Sequence, residues 1–298
     1  HGWIIIDKPL VVTSTQTVGR IRRLTNAAKV GHAGTLDPLA TGLLPIALGE
    51  ATKTISIVMD GTKSYRFTLC FGEERTTDDA EGEVSARSDV RPSDSEIEAV
   101  LSQFTGEIEQ VPPIYSAIKI DGKRAYDLAR ANEDVEMKSR IVRIDEVRLA
   151  ERPDADHASF DVTCGKGAYM RALARDIARA LGSAGYVSAL RRTAVGGFTI
   201  EDAIPLEKLE ELDHIPAASE HLLPVKTALD DIPALALTDE EARRMRCGQA
   251  VSWLKVAGRS NLGPIGPDVV CCAITGDVPV ALARVEGGNV LPVRVLNL

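Results

Sequence analysis

The sequence predicts an α+β fold, in which a large mixed domain ends near residue 230 and a small β-rich domain follows. Strand-like alternation of apolar and polar residues occurs at residues 64–72, 141–149 and 159–164. Residues 170–181 place apolar side chains at helical spacing, and Gly182 stops this helix. After Asp230 the pattern changes to short strand-like runs. We therefore expect one domain over residues 1–230 and a second over residues 231–298.

The N-terminal part should contain a strand, a helix and an unusual loop. Residues 2–7 are a short apolar run that a Lys-Pro turn closes, as at the end of a strand. A helix should follow, because Thr13 and Gln16 fit a capping box at its start. Residues 31–42 contain three glycines and a proline, which predicts a loop of special geometry.

The remaining elements follow from the same helical and strand periodicities. Helices are predicted around residues 97–104, 125–131 and 238–246. Strands are predicted at residues 117–120, 187–195, 269–274, 278–285 and 290–296. An acidic loop is expected directly after the strand at residues 64–72.

Composition excludes several classes of protein. The 298 residues are 44% hydrophobic and 26% charged, as in ordinary soluble globular proteins. No apolar run reaches membrane-spanning length and no secretory pattern follows His1, so we expect a cytoplasmic protein without membrane contact. The five cysteines form neither an even disulfide framework nor a zinc-type pair. The histidines are dispersed, His214 and His221 included, and we expect no metal.

Charge is unevenly distributed along the chain. The net charge of -8 would ordinarily argue against a nucleic-acid partner, because phosphate binding requires Lys and Arg. Residues 1–66, however, carry 8 basic against 4 acidic residues, and residues 163–192 carry 6 against 1. Residues 73–109 are strongly acidic, with 3 basic against 12 acidic residues. Such variation also occurs on any protein surface, so it favours RNA binding only where motifs agree.

The glycine-rich loop is the strongest local signal. Its glycines allow close approach of the backbone to a ligand, and Pro38 stiffens the chain directly after Asp37. The alternative is a structural turn in which Asp37 caps a helix. The loop fits neither a P-loop nor a dinucleotide-binding turn. The residues alone thus indicate a functional loop whose ligand is unknown.

At this loop the sequence closely resembles the TruB family of tRNA pseudouridine synthases. Matching segments in the family's order are residues 2–9, 31–53, 63–66, 111–117, 122–126, 166–171 and 190–192. Together they span roughly the first 200 residues, and chance agreement in both order and spacing is very unlikely. The tail resembles the small RNA-binding PUA-type domain of these enzymes, without a sharp motif.

The resemblance implies both a fold and an activity. The fold would be of the pseudouridine-synthase type, with a mixed, mainly antiparallel sheet, flanking helices and a PUA-like C-terminal domain. The activity would be isomerisation of the T-loop uridine 55 of tRNA to pseudouridine, by base flipping and an essential aspartate. Such an isomerisation needs no cofactor. The enzyme would act on the T stem-loop as a monomer, without an obligatory protein partner.

The resemblance also assigns site residues. Asp37 would attack or stabilise the electron-deficient ribose carbon, as carboxylates do in glycosidases. Addition of Asp37 to the uracil ring and removal of a ribose proton to give a glycal are the alternative paths. Tyr65 would stack on the target base and could help remove its C5 proton. Tyr169 and Leu190 would line the uracil pocket, and His32 would support the flipped-out nucleotide. For Tyr65, Tyr169 and Leu190 the alternative is ordinary core packing.

Two basic residues complete the predicted site. Arg171 would pair with the catalytic aspartate, which keeps the carboxylate ionised and positioned, although a phosphate contact is the alternative. Its neighbours at i+4 and i+8, Arg175 and Arg179, should face solvent or RNA. Lys8 would bind substrate near the active site, although the Lys-Pro turn itself also explains a lysine there.

Three other functions compete with this one. The first is an RNA-binding or RNA-folding module without catalysis, against which Asp37, Tyr65 and Arg171 argue. The second is a related enzyme inside a guide-RNA complex, which would not modify tRNA unaided. The third is a small-molecule hydrolase that uses Asp37, which would show no salt-dependent affinity for tRNA.

Overall fold

A computed structural model describes residues 1–116, 118–120, 122–131, 136–211, 220–260, 262, 265–266 and 268–298. Ala117, the first residue of one predicted strand, and His214 lie outside these ranges. No helix in the described ranges is long and apolar enough to cross a membrane.

Strands are numbered in chain order. They are β1 (Gly2–Lys8), β2 (Val30–His32), β3 (Ala40–Leu48), β4 (Lys63–Phe71), β5 (Glu73–Arg75), β6 (Val84–Arg87), β7 (Gly106–Gln110), β8 (Lys119–Ile120), β9 (Lys123–Arg124) and β10 (Arg140–Glu151). They continue with β11 (His157–Cys164), β12 (Gly185–Val195), β13 (Phe198–Thr199), β14 (Ile204–Pro205), β15 (Ala234–Ala236), β16 (Val251–Ser252), β17 (Cys271–Thr275), β18 (Val278–Glu286) and β19 (Asn289–Val295).

Helices are numbered in the same way. They are α1 (Ser14–Thr25), α2 (Ile55–Asp60), α3 (Asp94–Leu101), α4 (Ala125–Arg130), α5 (Met170–Ala180), α6 (Leu206–Glu210), α7 (Asp239–Arg246) and α8 (Trp253–Ser260). Short 3₁₀ turns occupy Gly49–Thr54, Ser102–Phe104, Ile200–Asp202 and Val225–Leu229.

One large sheet forms the centre of the molecule, with strand order β14-β1-β3-β12-β4-β11-β10-β7. Its neighbours are antiparallel except for β1 with β14 and β3 with β12. The predicted α+β class with a mixed, mainly antiparallel sheet is therefore confirmed. Because β12 lies between β3 and β4, the residues at the start of β3 come close to the side chains of β4 and β12. The site described below lies there.

Helix α5 covers one face of this sheet. Its apolar side packs on Phe67, Phe160 and their neighbours, with Leu173 and Ile177 fully buried. The helix ends where predicted, since Gly182 takes a left-handed backbone with φ +69°. The packing fixes the first turn of α5, and therefore Arg171, against the sheet.

A second sheet forms the C-terminal β domain, with strand order β15-β17-β18-β19-β16. Its own core lies beneath α7 and includes Leu235, Met245 and Val280. A separate apolar cluster joins this domain to the large sheet. In that shared cluster Leu282 and Leu296 of the C-terminal domain pack with Trp3, Val58 and Val225.

The predicted loop at residues 31–42 is shorter than expected. Residues 30–32 pair with β3 as strand β2, and β3 begins at Ala40, so the irregular part is residues 33–39. Gly42 has φ +95°, and a Cβ there would collide with the backbone carbonyl of Arg192. Gly42 thus serves the close packing of β3 on β12 and not the approach of a ligand.

Candidate active site

The loop at residues 33–39 holds Asp37 from two sides. The Ser14 hydroxyl, at the start of α1, accepts from the Leu36 amide at 2.9 Å and donates to the Leu36 carbonyl at 3.0 Å. On the other side, the carbonyl of Pro38 accepts from the Val11 amide at 2.8 Å. The loop is therefore anchored on both flanks of Asp37, which restricts the position of its carboxylate.

Arg171 approaches Asp37 from the N-terminal turn of α5. Its Nε lies 2.9 Å from Asp37 Oδ2, although the N–H is not aimed well enough for a hydrogen bond. The guanidinium donates to the carbonyls of Thr77 at 2.8 Å and Tyr115 at 2.9 Å, and Asp79 lies 3.6 Å away. The Arg171 side chain is 5% exposed and that of Asp37 is 36% exposed. A buried, immobilised cation thus faces an accessible carboxylate.

A pocket with a volume of about 330 Å³ opens beside Asp37. Tyr65 from β4, Leu190 from β12 and Tyr169, which precedes α5, line it together with Asp37. This volume is at the small end of the roughly 300–1,000 Å³ typical of ligand pockets. Two aromatic rings and a leucine around a carboxylate form a pocket that can hold a planar nucleobase after it has left the base stack of a nucleic acid.

Basic side chains surround the pocket. Arg140 lies over the Tyr169 ring, 5.0 Å from its centroid, and the exposed Lys166 pairs with Asp60 at 2.6 Å. Lys63 donates to the carbonyls of Met59 and Gly61, and burial lowers its pKa to about 8. Burial raises the pKa of Tyr65, an effect that the nearby Arg192 opposes. Tyr65 is therefore a phenol, and not a phenolate, at neutral pH.

His32 and Lys8 lie outside the pocket walls. His32 is half-buried in β2, and its pKa is lowered by burial and by the charge of Arg192, so the ring is neutral at pH 7. Lys8 is completely buried and donates to the carbonyls of Pro9, Val12 and Pro38. Burial lowers its pKa to about 8. The ammonium group of Lys8 supports the Asp37 loop from behind, and a direct role in substrate binding stays a prediction.

The acidic segment between β5 and β6 also reaches the site. Thr77, Asp78 and Asp79 are buried there, and Arg175 pairs with Asp78 at 2.9 Å. Burial raises the pKa of Asp78 to about 6. Arg175 was expected to face solvent or RNA. The structure corrects this, since the buried acidic segment takes up its charge.

Known proteins resemble this chain over its whole length. The sequence profile of the N-terminal domain of TruB family pseudouridylate synthases matches residues 22–170, and that of the C-terminal domain of tRNA pseudouridylate synthase B matches residues 171–230. The chain belongs to the TruB family. It is therefore an isomerase that converts uridine to pseudouridine.

Relatives in the TruB family are similar along the entire chain. A protein of Rhodospirillum rubrum named tRNA pseudouridine synthase B is 55% identical over 298 residues, which cover 100% of this chain and 97% of that protein. A protein of the same name from a Caulobacter species is 53% identical, and the match covers 100% of this chain and 96% of that protein. A solved structure, "Crystal Structure of a Cbf5-Nop10-Gar1 Complex", is 26% identical, covers 99% of this chain and 84% of that one, and superposes with a TM-score of 0.76.

Two residues of this TruB-family site escaped sequence reasoning. Asp79 belongs to a segment interpreted only as an acidic loop, and no local pattern shows that this loop folds back under α5. Arg192 belongs to the matching segment at residues 190–192, but the sequence alone assigns it no function. A usable signal existed, because Arg192 is two residues from Leu190 on the same strand, which places a charge on an inward-facing position.

Within the described ranges, no three His, Cys, Asp or Glu side chains are grouped so that they could share a metal ion.

Proposed function

We propose that this enzyme isomerises uridine 55 in the T loop of tRNA to pseudouridine, with Asp37 as its essential catalytic side chain. The observation that carries the proposal is the Asp37 carboxylate, which faces an aromatic-lined pocket while the buried Arg171 lies 2.9 Å behind it. The relatives are named tRNA pseudouridine synthase B, and this name supports tRNA as the substrate.

The isomerisation of uridine requires a carboxylate that can act on the ribose while the glycosidic bond is broken. The bond from N1 of uracil to the ribose anomeric carbon breaks, the base turns and C5 bonds to that carbon, after which C5 loses its proton and N1 carries one in the product. No atom or electron is gained or lost overall, so no cofactor is needed. Asp37 would attack or stabilise the electron-deficient ribose during this sequence. Arg171 would hold the carboxylate in place.

The remaining site residues would bind the flipped nucleotide. Tyr65 would stack on the uracil, and Tyr169 and Leu190 would form the other walls of its pocket. His32 would support the extruded conformation of the nucleotide from β2, where a neutral ring can donate or accept a hydrogen bond. The positions of Tyr65, Tyr169 and Leu190 around one cavity support their roles, whereas His32 lies on β2 outside the cavity walls.

The basic segment at residues 163–192 would contribute less to RNA binding than its charge suggests. Arg171, Arg175 and Arg192 are buried, and the exposed Arg179 pairs with Glu74 at 2.6 Å. Phosphate contacts would therefore come mainly from cations such as Lys166, whose pair with Asp60 is open to solvent on both sides and so is weakly held.

We assign residues 1–230 to the catalytic domain and residues 231–298 to a PUA-like RNA-binding domain. The division is supported by two separate sheets, whose strands end at Pro205 and begin again at Ala234. We further propose that the enzyme acts on the T stem-loop in the cytoplasm, as a monomer without an obligatory protein partner.

The test is to incubate the purified chain with an unmodified tRNA transcript, in the presence of a chelator, and to map pseudouridine at nucleotide resolution. We expect one product, at position 55. A transcript with cytidine at that position is the control and should yield none. Product at another position, or activity that a metal ion must restore, would contradict the proposal. Light scattering during gel filtration checks the monomer.

A guide-RNA-dependent enzyme is the second candidate, because the fold also matches a protein solved in a Cbf5-Nop10-Gar1 complex. The same experiment separates the two. An enzyme of that kind would leave the transcript unmodified when it is the sole protein present, and we expect modification.

A further inference from the structure

Arg192 is a buried cation at the centre of the site. It lies on β12 and is 2% exposed, yet its side chain reaches the pocket that Tyr65 and Asp37 line. Within the described part of the chain, no carboxylate lies within ion-pair distance of it. A buried charge without a carboxylate partner is costly, so this one calls for a functional explanation.

Backbone carbonyls from two elements hold the guanidinium. Nε donates to Leu43 on β3 at 2.8 Å, and Nη2 donates to Gly34 at 3.0 Å, with Thr35 at 3.5 Å from Nη1. Gly34 and Thr35 belong to the loop that carries Asp37. Arg192 therefore connects β3 and β12 to the Asp37 loop.

Tyr65 lies directly opposite Arg192. The two residues are register partners across the antiparallel pair β4 and β12, so their side chains share one face of the sheet. Both side chains line the same pocket, and the positive charge of Arg192 opposes the rise that burial gives to the pKa of Tyr65. A guanidinium can only donate, so the phenol oxygen is the acceptor of any hydrogen bond that forms between the two side chains. The phenolic proton is then directed away from Arg192, towards the pocket.

We propose that Arg192 is a positioning residue that orients the Tyr65 hydroxyl as a hydrogen-bond donor into the uracil pocket and sets its distance from the Asp37 loop. The inference rests on the proposed function, since it assumes that uracil occupies the pocket. It gives Tyr65 a second task beyond stacking. A donor there stabilises negative charge on the base as the glycosidic bond breaks, without any proton transfer.

A double-mutant cycle tests this proposal. Single-turnover pseudouridine formation is measured for wild type, Arg192→Lys, Tyr65→Phe and the double variant, with melting temperature and tRNA affinity for each. We expect Arg192→Lys to bind tRNA within a few-fold of wild type and to lose about tenfold in rate, because a lysine cannot span the three carbonyls and the phenol. In the Tyr65→Phe background the same change should cost less than about threefold.

Arg191→Lys is the matched control. Arg191 is the preceding residue on β12, points to the opposite face, is 40% exposed and pairs with Asp7 at 2.7 Å. Its replacement should leave the rate within about twofold of wild type, as for an exposed pair. If Arg192→Lys does not fold, Arg192→Gln replaces it, because an amide can still donate to the carbonyls of the loop.

The outcomes are distinguishable. An equal loss from Arg192→Lys in both Tyr65 backgrounds would overturn the proposal and leave Arg192 a purely structural role. A wild-type rate that rises steeply with pH through the ionisation of Tyr65 would also overturn it, because a donor must keep its proton. A wild-type enzyme that makes no pseudouridine would instead refute the proposed function.

Discussion

Two arginine–carboxylate pairs of similar length on α5 lie in different environments. Arg171 lies 2.9 Å from Asp37 and is 5% exposed, whereas Arg179 lies 2.6 Å from Glu74 and is 55% exposed. An exposed pair contributes about 0–1 kcal/mol, because water and salt screen it. In the Arg171 pair only the cation is buried, since Asp37 is 36% exposed, and Arg171 also has Asp79 and two backbone carbonyls as partners. The difference in burial of the two arginines therefore predicts that Arg171 is held in a fixed position, whereas Arg179 is screened by solvent.

Replacing Arg171 by lysine should impair catalysis strongly. A single ammonium cannot replace a planar guanidinium that meets Thr77, Tyr115 and Asp37 together. We expect a loss on the order of a hundredfold in single-turnover rate, since small displacements of catalytic groups have effects of that size. Arg179→Lys is the matched control and should stay within about twofold. Similar rates for the two variants would remove Arg171 from the catalytic machinery.

Replacing Asp37 separates a catalytic role from a structural one. Asp37→Asn preserves size and much of the hydrogen bonding, so we expect near-wild-type melting temperature and tRNA affinity but background product. Asp37→Glu should also fail, since a displacement of about 1 Å can cost on the order of a hundredfold. Asp277→Asn, on an exposed surface, is the control. Substantial pseudouridine formation by Asp37→Asn would show that the mechanism is wrong.

At the scale of elements, the turn after β1 is strained beside the site. Val11 has φ +71°, a left-handed backbone that is rare for a β-branched residue. Its amide donates to the Pro38 carbonyl at 2.8 Å, in the loop that carries Asp37. Such strain costs on the order of 1–3 kcal/mol and persists where surrounding contacts impose it. Here the bond from Val11 to Pro38 imposes it, together with the bonds of Lys8 to the flanking carbonyls of Pro9 and Val12.

Val11→Gly should therefore stabilise the protein. Glycine adopts this backbone freely, which relieves strain of about 1–3 kcal/mol at an entropic cost of about 0.5–1 kcal/mol. We expect a net gain of about 1 kcal/mol and a melting temperature higher by about 2–4 °C. Val12→Gly, at a position with ordinary backbone, should lower the melting temperature. A lower melting temperature for Val11→Gly as well would show that the turn is not strained.

Local patterns predicted most elements, with clear exceptions. The capping box of Thr13 and Gln16 is present, and the strands around residues 64–72, 141–149 and 159–164 are confirmed. Strand β3 was missed, because it is central to the sheet and buried on both faces. Such a strand shows no alternation, and Gly42 with Pro45 resembles a loop. Short strands such as β14 form only because a neighbour already provides a paired edge.

At the scale of the whole molecule, the two sheets share an apolar cluster. Leu296, near the end of the last strand, is 1% exposed and packs with residues of the large sheet such as Trp3 and Val225. Polar contacts reinforce the junction, since Lys53 donates to the Val295 carbonyl at 2.7 Å and the Asn297 amide donates to Glu50 at 2.7 Å. The C-terminal domain should therefore unfold together with the catalytic one.

Leu296→Ala tests this coupling. We expect one cooperative thermal transition at lower temperature, with a loss of about 2–5 kcal/mol, because a buried leucine leaves a cavity in a core that both sheets share. Leu298→Ala is the matched control, since that side chain is 46% exposed and should change little. Calorimetry distinguishes the outcomes. An early separate transition of the C-terminal domain, with the main transition unchanged, would contradict the coupling.

By itself, the sequence determined the fold class, the family and the catalytic candidates, because periodicity and motif spacing are local properties of the chain. Only the tertiary structure decided how the charges are used. It buried Arg175 on the acidic segment, placed Lys8 behind the Asp37 loop and set Arg192 opposite Tyr65. The physical reason is that the environment of a charged side chain depends on which distant segments become its neighbours, and strand order in the sheet determines those neighbours.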